Sequence, residues 1–379
     1  MERLAALRAC RSDMTTALAQ LVEAESPSNE PLALAACADV VVAIGAELLG
    51  AMPERIMTPN STHLLWRFGP RTEIVLLGHL DTVWPLGTLA AWPFSVDGDV
   101  ATGPGSFDMK AGLVQGLYAL SMANDRQGVA FLVTGDEEIG SPSSRALIEE
   151  VAAGAVAALV LEPSAGGALK TARKGVSTYR IDVEGRAAHA GLEPENGANA
   201  LVELAHQVLA LGALARPDRG TTVTPTVAAA GTTTNTVPAS ARVDIDVRVA
   251  DPAEQARVDR AMGALSPVVA GTRLTVSGGP NRPPLPASAS ADLAARARSL
   301  AEQLGLGPLS TCEVGGGSDG NFTAAIGVPT LDGLGAVGDG AHARGEHVLL
   351  SAMAERAALV AALLDDLRAP FIGENGLSR

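Results

Sequence analysis

Aromatic residues make up only 3% of this chain, so the interior must be assembled mainly from Ala, Val and Leu. Cysteine is scarce as well. Cys10, Cys37 and Cys312 are odd in number, widely spaced and form no paired motif, which argues against a disulfide framework or a thiolate zinc site and fits a reducing compartment. Basic charge is short too: 28 Lys plus Arg stand against 42 Asp plus Glu, a formal net charge of −14. A negative field repels nucleic acid and anionic membranes alike, so neither is an expected partner, although one local Arg could still hold a small anionic substrate. Residues 1–27 carry charges throughout, unlike a signal peptide, and the nearly apolar run 151–161 is too short to span a bilayer. The expectation is a soluble cytoplasmic protein.

What is present is globular. The 379 residues are 47% hydrophobic and 18% charged, with no internal repeat, and that length favours two domains. Short apolar runs at 74–77, 129–133 and 157–161 read as buried parallel strands, with helical segments at 110–123 and 143–152 between them. Such alternation predicts an open α/β sheet covered by helices. Near Gly175 the period changes. Tyr179, Ile181 and Val183 alternate with charged residues, as do Val243, Ile245, Val247 and Val249, the mark of an antiparallel sheet with one wet face. With helices at 199–214 and 253–262 and strands at 222–229 and 273–276, the order β-α-β-β-α-β is a ferredoxin-like unit. Helices at 290–304 and 352–367 then resume the first pattern. The expected organisation is a catalytic domain of 1–175 and 281–379 with a second domain, 176–280, inserted into it.

The first strand runs into Gly78-His79-Leu80-Asp81-Thr82-Val83, where residues two apart face the same side, so His79 and Asp81 can share one site. A metal-bound imidazole usually has its other nitrogen held by an acceptor, which Asp81 could supply. A glycine-rich turn, Gly103 to Lys110, drops Asp108 just before a helix. The next strands end in Asp136-Glu137-Glu138 and Leu161-Glu162-Pro163. Each cluster alone has a plain reading as a solvated turn. Together they put carboxylates at the carboxyl edge of successive parallel strands, where open α/β sheets bind ligands. Carboxylates gathered there repel one another unless cations lie among them, so bound metal is the economical explanation.

These segments resemble the co-catalytic zinc family of aminoacylases, acetylornithine and succinyl-diaminopimelate deacylases and glutamate carboxypeptidases. The resemblance continues through Gly185–Gly191 around His189, Asn235-Thr236-Val237-Pro238, Asp246-Val247-Arg248 and His342-Ala343-Arg344-Gly345-Glu346, in the family's order over nearly the whole chain. Spacing around His189 and Asn199-Ala200-Leu201 is most similar to the glutamate carboxypeptidase branch. The resemblance implies two divalent metals, bridged by Asp108, with His79 and Glu162 completing one site and Glu138 and His342 the other. Glu137 would be the general base. The mixed N and O ligands suit zinc, and also cobalt or manganese.

The resemblance further implies that the inserted domain is a lid that forms a homodimer. His189 would reach from the partner's lid to stabilise the tetrahedral oxyanion, Asn235 would lie near the substrate, and Arg248 would clamp its carboxylate. Two of these have a plain alternative: His189 capping its own loop, and Arg248 pairing with Asp244 or Asp246. The lid segment 169–175 places its basic residues differently from the carboxypeptidase branch, which leaves the selected terminal side chain open. His63, His206 and His347 carry no motif.

The expected activity is cleavage of an amide next to a free carboxylate in a small peptidyl- or acyl-amino acid. A deacylase of N-acyl amino acids shares the same catalytic residues and is the alternative. A metal-binding member without activity would not need Glu137. Gly316–Gly320 also fits the G-x-S-x-G elbow of serine hydrolases, with Ser318 as nucleophile and Asp332 or Asp339 and His342 following. Gly315–Gly320 fits the dinucleotide pattern G-x-G-x-x-G. Both need a strong strand before them, and the polar segment 310–314 is a poor one.

Overall fold

The computed structural model describes residues 2–368 and divides into two compact units. Among these residues, one comprises 2–172, Pro286–Glu313 and 318–368; the other comprises Arg173–Leu285 and Val314–Gly317.

The first unit is built on a six-stranded sheet, ordered Glu54–Met57, Thr62–Phe68, Val129–Thr134, Ile74–His79, Ala157–Val160, Thr330–Leu331. Its last four members run parallel and the first two join antiparallel, so the sheet is mainly parallel. The apolar runs have no polar alternation because both faces are covered. Ile74 and Leu76 enter a core with the helices Ala111–Met122 and Leu350–Arg368, while Val75 and Leu77 enter a second one with Ile148, Val151 and Phe322. Leu, Val and Ala supply most of both cores, as the low aromatic content requires.

A smaller sheet pairs Gly338–Asp339, His347–Leu349, Val100–Thr102 and Ser95–Asp97 in that order. Its hairpin turn, 340–346, carries His342.

The second unit is a four-stranded antiparallel sheet, ordered Thr222–Ala230, Ser240–Val249, Gly175–Glu184, Arg273–Arg282, with the helices Ala200–Gly212 and Pro252–Gly263. Tyr179, Ile181, Val243 and Ile245 pack with Leu204, Leu211, Val258 and Met262 into one core. The other face is polar, and Arg180 pairs across the strands with Asp244. Both helices are capped from the sequence: the Asn199 side chain accepts the N–H groups of Leu201 and Val202, and Asp251 accepts that of Glu254, each worth about 1 kcal/mol. The chain thus folds as an α/β unit with a mainly parallel sheet and an inserted ferredoxin-like unit.

Several elements depart from the sequence reading. The helix expected from residue 143 begins at Arg145, because Ser143 and Ser144 turn their hydroxyls to Asp136 instead. The polar segment Thr311–Val314 does form a strand, paired with Leu169–Arg173. The N-terminal helices Glu2–Ala9, Arg11–Glu23 and Pro31–Leu49 were not anticipated. Pro31–Leu49 is a longer apolar stretch than 151–161 and is long and apolar enough to cross a membrane by length and composition. Its Leu34, Cys37, Val41 and Ile44 are nevertheless buried in the core.

Candidate metal centre and catalytic site

The central strand Ile74–His79 delivers His79 to the carboxyl edge of the large sheet, 2% exposed. Its Nδ1 lies 3.0 Å from the Asp81 carbonyl and 3.4 Å from an Asp81 carboxylate oxygen. Nδ1 therefore carries a proton towards that carbonyl, which leaves Nε2 as the ligand atom. The Asp81 carboxylate, expected to orient the imidazole, has a larger task. It accepts the N–H groups of Glu137 and Glu138, each at 3.1 Å, and the Ser28 hydroxyl at 2.7 Å. Asp81 thus aims the turn that presents both glutamates.

Each residue of Asp108-Met109-Lys110 has a separate role. The Met109 sulfur accepts the His79 N–H at 3.2 Å. Buried Lys110 donates to the carbonyls of Leu21 and Ala24, both at 2.8 Å, capping the helix Arg11–Glu23. Asp108, whose peptide bond to Met109 is cis, faces the cluster. Gly112 lets the following helix approach the Glu162 segment, since a Cβ there would lie 2.2 Å from the Leu161 carbonyl oxygen. Gly105 has φ +73, and a Cβ on it would meet Thr82 at 2.5 Å.

The candidate ligands converge. Asp108 Oδ1 lies 3.4 Å from His79 Nε2, and Asp108 Oδ2 lies 3.4 Å from His342 Nε2. Glu162 Oε1 is 3.4 Å from His79 Nε2, and Glu138 Oε2 is 3.1 Å from His342 Nε2. His79, Asp108 and Glu138 offer ligand atoms within 4.8 Å of one another, and so do His79, Glu137 and Glu162. His342 reaches in from the hairpin turn with φ +62 and a half-exposed side chain.

Protonation reflects this crowding. Burial alone would lower the His79 pKa, but Asp108, Asp81 and Glu162 hold it well above the usual imidazole range. Asp108 and then Glu138 push His342 up to about 10. Burial would raise the Asp108 carboxyl, yet His342 and His79 hold it well below the usual carboxylate range. Burial, reinforced by repulsion from Asp108, raises Glu138 despite His342. Both histidine shifts favour the protonated imidazole, because positive charge is stabilised among these carboxylates. Even so, His79 Nε2, Asp108 Oδ1 and Glu138 Oε1 are buried without a hydrogen bond. Buried polar atoms are rarely left so. Orphaned N and O donors at one place, two imidazoles among carboxylates, fit a divalent metal centre.

Not every sequence candidate belongs to this cluster. Asp136 binds the backbone and hydroxyls of Ser143 and Ser144 and closes its own loop. Ser318 is fully buried, its hydroxyl donates to Asp332 at 2.6 Å, and His342 is engaged elsewhere. A serine nucleophile needs an imidazole base and access to substrate, so the Ser318 reading is corrected: this serine braces its turn. In the second unit, His189 Nδ1 accepts the N–H groups of Gly191 and Leu192, both at 3.1 Å, so its neutral ring carries the proton on Nε2. The Ala190 N–H donates to the Asn235 carbonyl at 2.9 Å, which brings these two candidates together. Arg248 forms a two-pronged pair with Asp246.

Three residues to which the sequence assigned no role support the site. His63 is buried, accepts the Gly135 N–H at Nδ1 and meets the Ser143 hydroxyl at Nε2. Asp319 accepts the hydroxyls of Thr134 and Ser141 on either side of the Glu137 turn. Glu346 binds the backbone of the Asp108 loop.

The model of peptidase family M20/M25/M40 matches residues 75–366, a span that contains every member of the cluster. The chain belongs to this family. It is accordingly a metallohydrolase acting on amide bonds. Among curated M20 proteins it is similar to carboxypeptidase G2 of Pseudomonas sp. (strain RS-16), 35% identical over 78% of this chain and 74% of that protein. It is also similar to the succinyl-diaminopimelate desuccinylase of Methylorubrum populi, 32% identical over 51% of this chain and 56% of the other. The M20 metallo-carboxypeptidase Sso-CP2 of Sulfolobus solfataricus shares the fold, with a TM-score of 0.74 over 93% of this chain and 98% of that one at 16% identity.

Proposed function

We propose that this M20 member is a glutamate-carboxypeptidase-like exopeptidase with a two-metal site, and that the metals are zinc, with cobalt and manganese compatible with the same ligands. One observation carries the reading: Asp108 turns one oxygen to His79 and the other to His342, with Glu162 and Glu138 completing the two ends. Asp108 would bridge, His79 and Glu162 would hold one ion, and Glu138 and His342 the other. Bound there, the ions would polarise the scissile carbonyl and acidify the attacking water.

The remaining steps belong to the chain. Glu137, 8% exposed and held by its backbone to Asp81, takes the proton from the attacking water and returns it to the leaving amine. Asp81 fixes the direction of that carboxylate and of Glu138. The Nε2–H of His189 of the partner subunit donates to the developing oxyanion, a role that requires a homodimer formed through the inserted unit. Asn235 helps to hold the substrate. Arg248 clamps the substrate carboxylate, which must compete with Asp246 for the guanidinium. Cytoplasmic residence is supported by cysteines that are free thiols.

The desuccinylase relative favours a second reading, hydrolysis of an N-acyl amino acid. A screen of peptidyl- and acyl-amino acids, varying the C-terminal residue and detecting released amine, separates the two. Turnover only of acyl substrates with no preference at the terminal residue would replace the carboxypeptidase reading.

A further inference from the structure

Glu346 lies four residues beyond His342, fully buried, and its carboxylate collects four hydrogen bonds. Oε1 accepts the N–H groups of Phe107 and Asp108, both at 2.9 Å. Oε2 accepts the Gly105 N–H at 2.9 Å and the indole N–H of Trp84 at 2.8 Å. No lysine or arginine pairs with it among the described residues. Four N–H dipoles face the carboxylate, in the manner of an anion held by a backbone nest, with the buried Lys110 ammonium as a charge beyond hydrogen-bond reach.

The register of the small sheet explains the reach. His347 pairs with Thr102 and Val348 with Ala101, so continuing that ladder by one step sets Glu346 against the start of the loop that leads to Asp108. That loop cannot satisfy itself. Asp108 (φ −116, ψ 94) and Met109 (φ −132, ψ 34) depart from helical angles, and the N–H groups of Gly105, Phe107 and Asp108 find their acceptor in Glu346. One side chain therefore ties the turn bearing His342 to the loop bearing Asp108.

We propose that Glu346 is a positioning residue for the metal centre: it presets the Asp108 carboxylate as the bridge and locks the His342 turn to it, so that both ions bind to a preformed frame. The inference rests on the two-metal reading above. Trp84, stacked edge-on against Trp92 at 5.0 Å, is the fourth donor and the only one outside the Asp108 loop.

The test is titration of metal-free protein with zinc against a chromophoric chelator, which reads affinity and stoichiometry rather than turnover. In Glu346→Gln only the amide oxygen can accept, and the NH₂ group faces N–H donors. Zinc binding should weaken by roughly 10–100-fold, the loss usual when a group supporting a metal ligand is removed. Trp84→Phe, which leaves all three backbone donors in place, should bind zinc as the unaltered chain does. A folded Glu346→Gln protein with unaltered affinity for both equivalents would overturn the proposal.

Should that variant fail to fold, amide exchange in the metal-free natural chain decides. Protected amides at Gly105, Phe107 and Asp108 are expected before any metal is added, and fast exchange there would contradict a preset loop. If the natural chain bound no zinc at all, the two-metal reading would fall instead, while the exchange pattern would still report on Glu346.

Discussion

In the inserted unit, buried Glu254 lies 2.7 Å from Arg257 and 3.0 Å from Arg216 and also accepts the Thr221 hydroxyl. Buried Glu203 accepts the N–H groups of Val268 and Val269, the Gln207 amide and the Thr272 hydroxyl. In the other unit, Asp108 and Glu138 pair with imidazoles and lie close to each other, and each keeps one buried oxygen without a hydrogen bond among the described residues. Carboxylates sheltered from water are completed by the chain in one place and left incomplete in the other. Stability alone accounts for the first arrangement. The second costs free energy in the metal-free chain, and it makes sense as a site that awaits cations from solution.

Each prediction presses on that contrast. The largest effect is expected from dialysis against a chelator, which should abolish turnover, with zinc or cobalt restoring it; full activity in metal-free protein would erase the distinction. Next is Glu137→Gln, which should retain metal and lose about 10²–10⁴ in rate. Metal loss in that variant would make Glu137 a ligand, an assignment its closeness to His79 and Glu162 keeps in view. His189→Ala should cost about 10²–10³ in kcat, as removal of one oxyanion donor does. Mixed dimers of that variant with Glu137→Gln should recover part of the activity, and absence of recovery would point to a site complete within one chain.

The smallest effect is in stability against pH, and its sign differs between the units. His342 in the metal-free chain has its pKa raised to about 10, so its contribution is full below the ordinary value of 6.5 and is lost as pH rises to about 10. Glu254 is lowered to about 2, first by Arg257, so its contribution is present above 4.5 and lost as pH falls towards 2. Melting curves of metal-free protein should therefore decline on the alkaline side, and zinc should flatten that decline by taking the place of the imidazole protons.

Much of this was legible in sequence because the signals are local. Buried strands announce themselves by continuous apolar runs, and the candidate ligands His79, Asp108, Glu138 and Glu162 sit at or just beyond strand ends or before a helix. The inserted unit declared its period-two faces through residues such as Tyr179 and Val243. The roles of residues that act across the chain were not legible. His63 matters because its strand pairs antiparallel beside Val129–Thr134, which brings it to Gly135. Glu346 binds backbone, and Asp319 binds side-chain hydroxyls, more than a hundred residues away in sequence. Asp81 was recognised as a partner of His79, but its hold on Glu137 and Glu138 depends on the fold of a later loop. In Pro31–Leu49, Asp39 and Glu47 interrupt the apolar pattern of the sequence without interrupting the packing.

Anomalous diffraction from crystals of zinc-loaded protein would test the central claim most directly. Two peaks are expected, one among His79, Asp108 and Glu162 and one among Asp108, Glu138 and His342. A fully active enzyme whose crystals show no anomalous peak beside Asp108 would contradict the account.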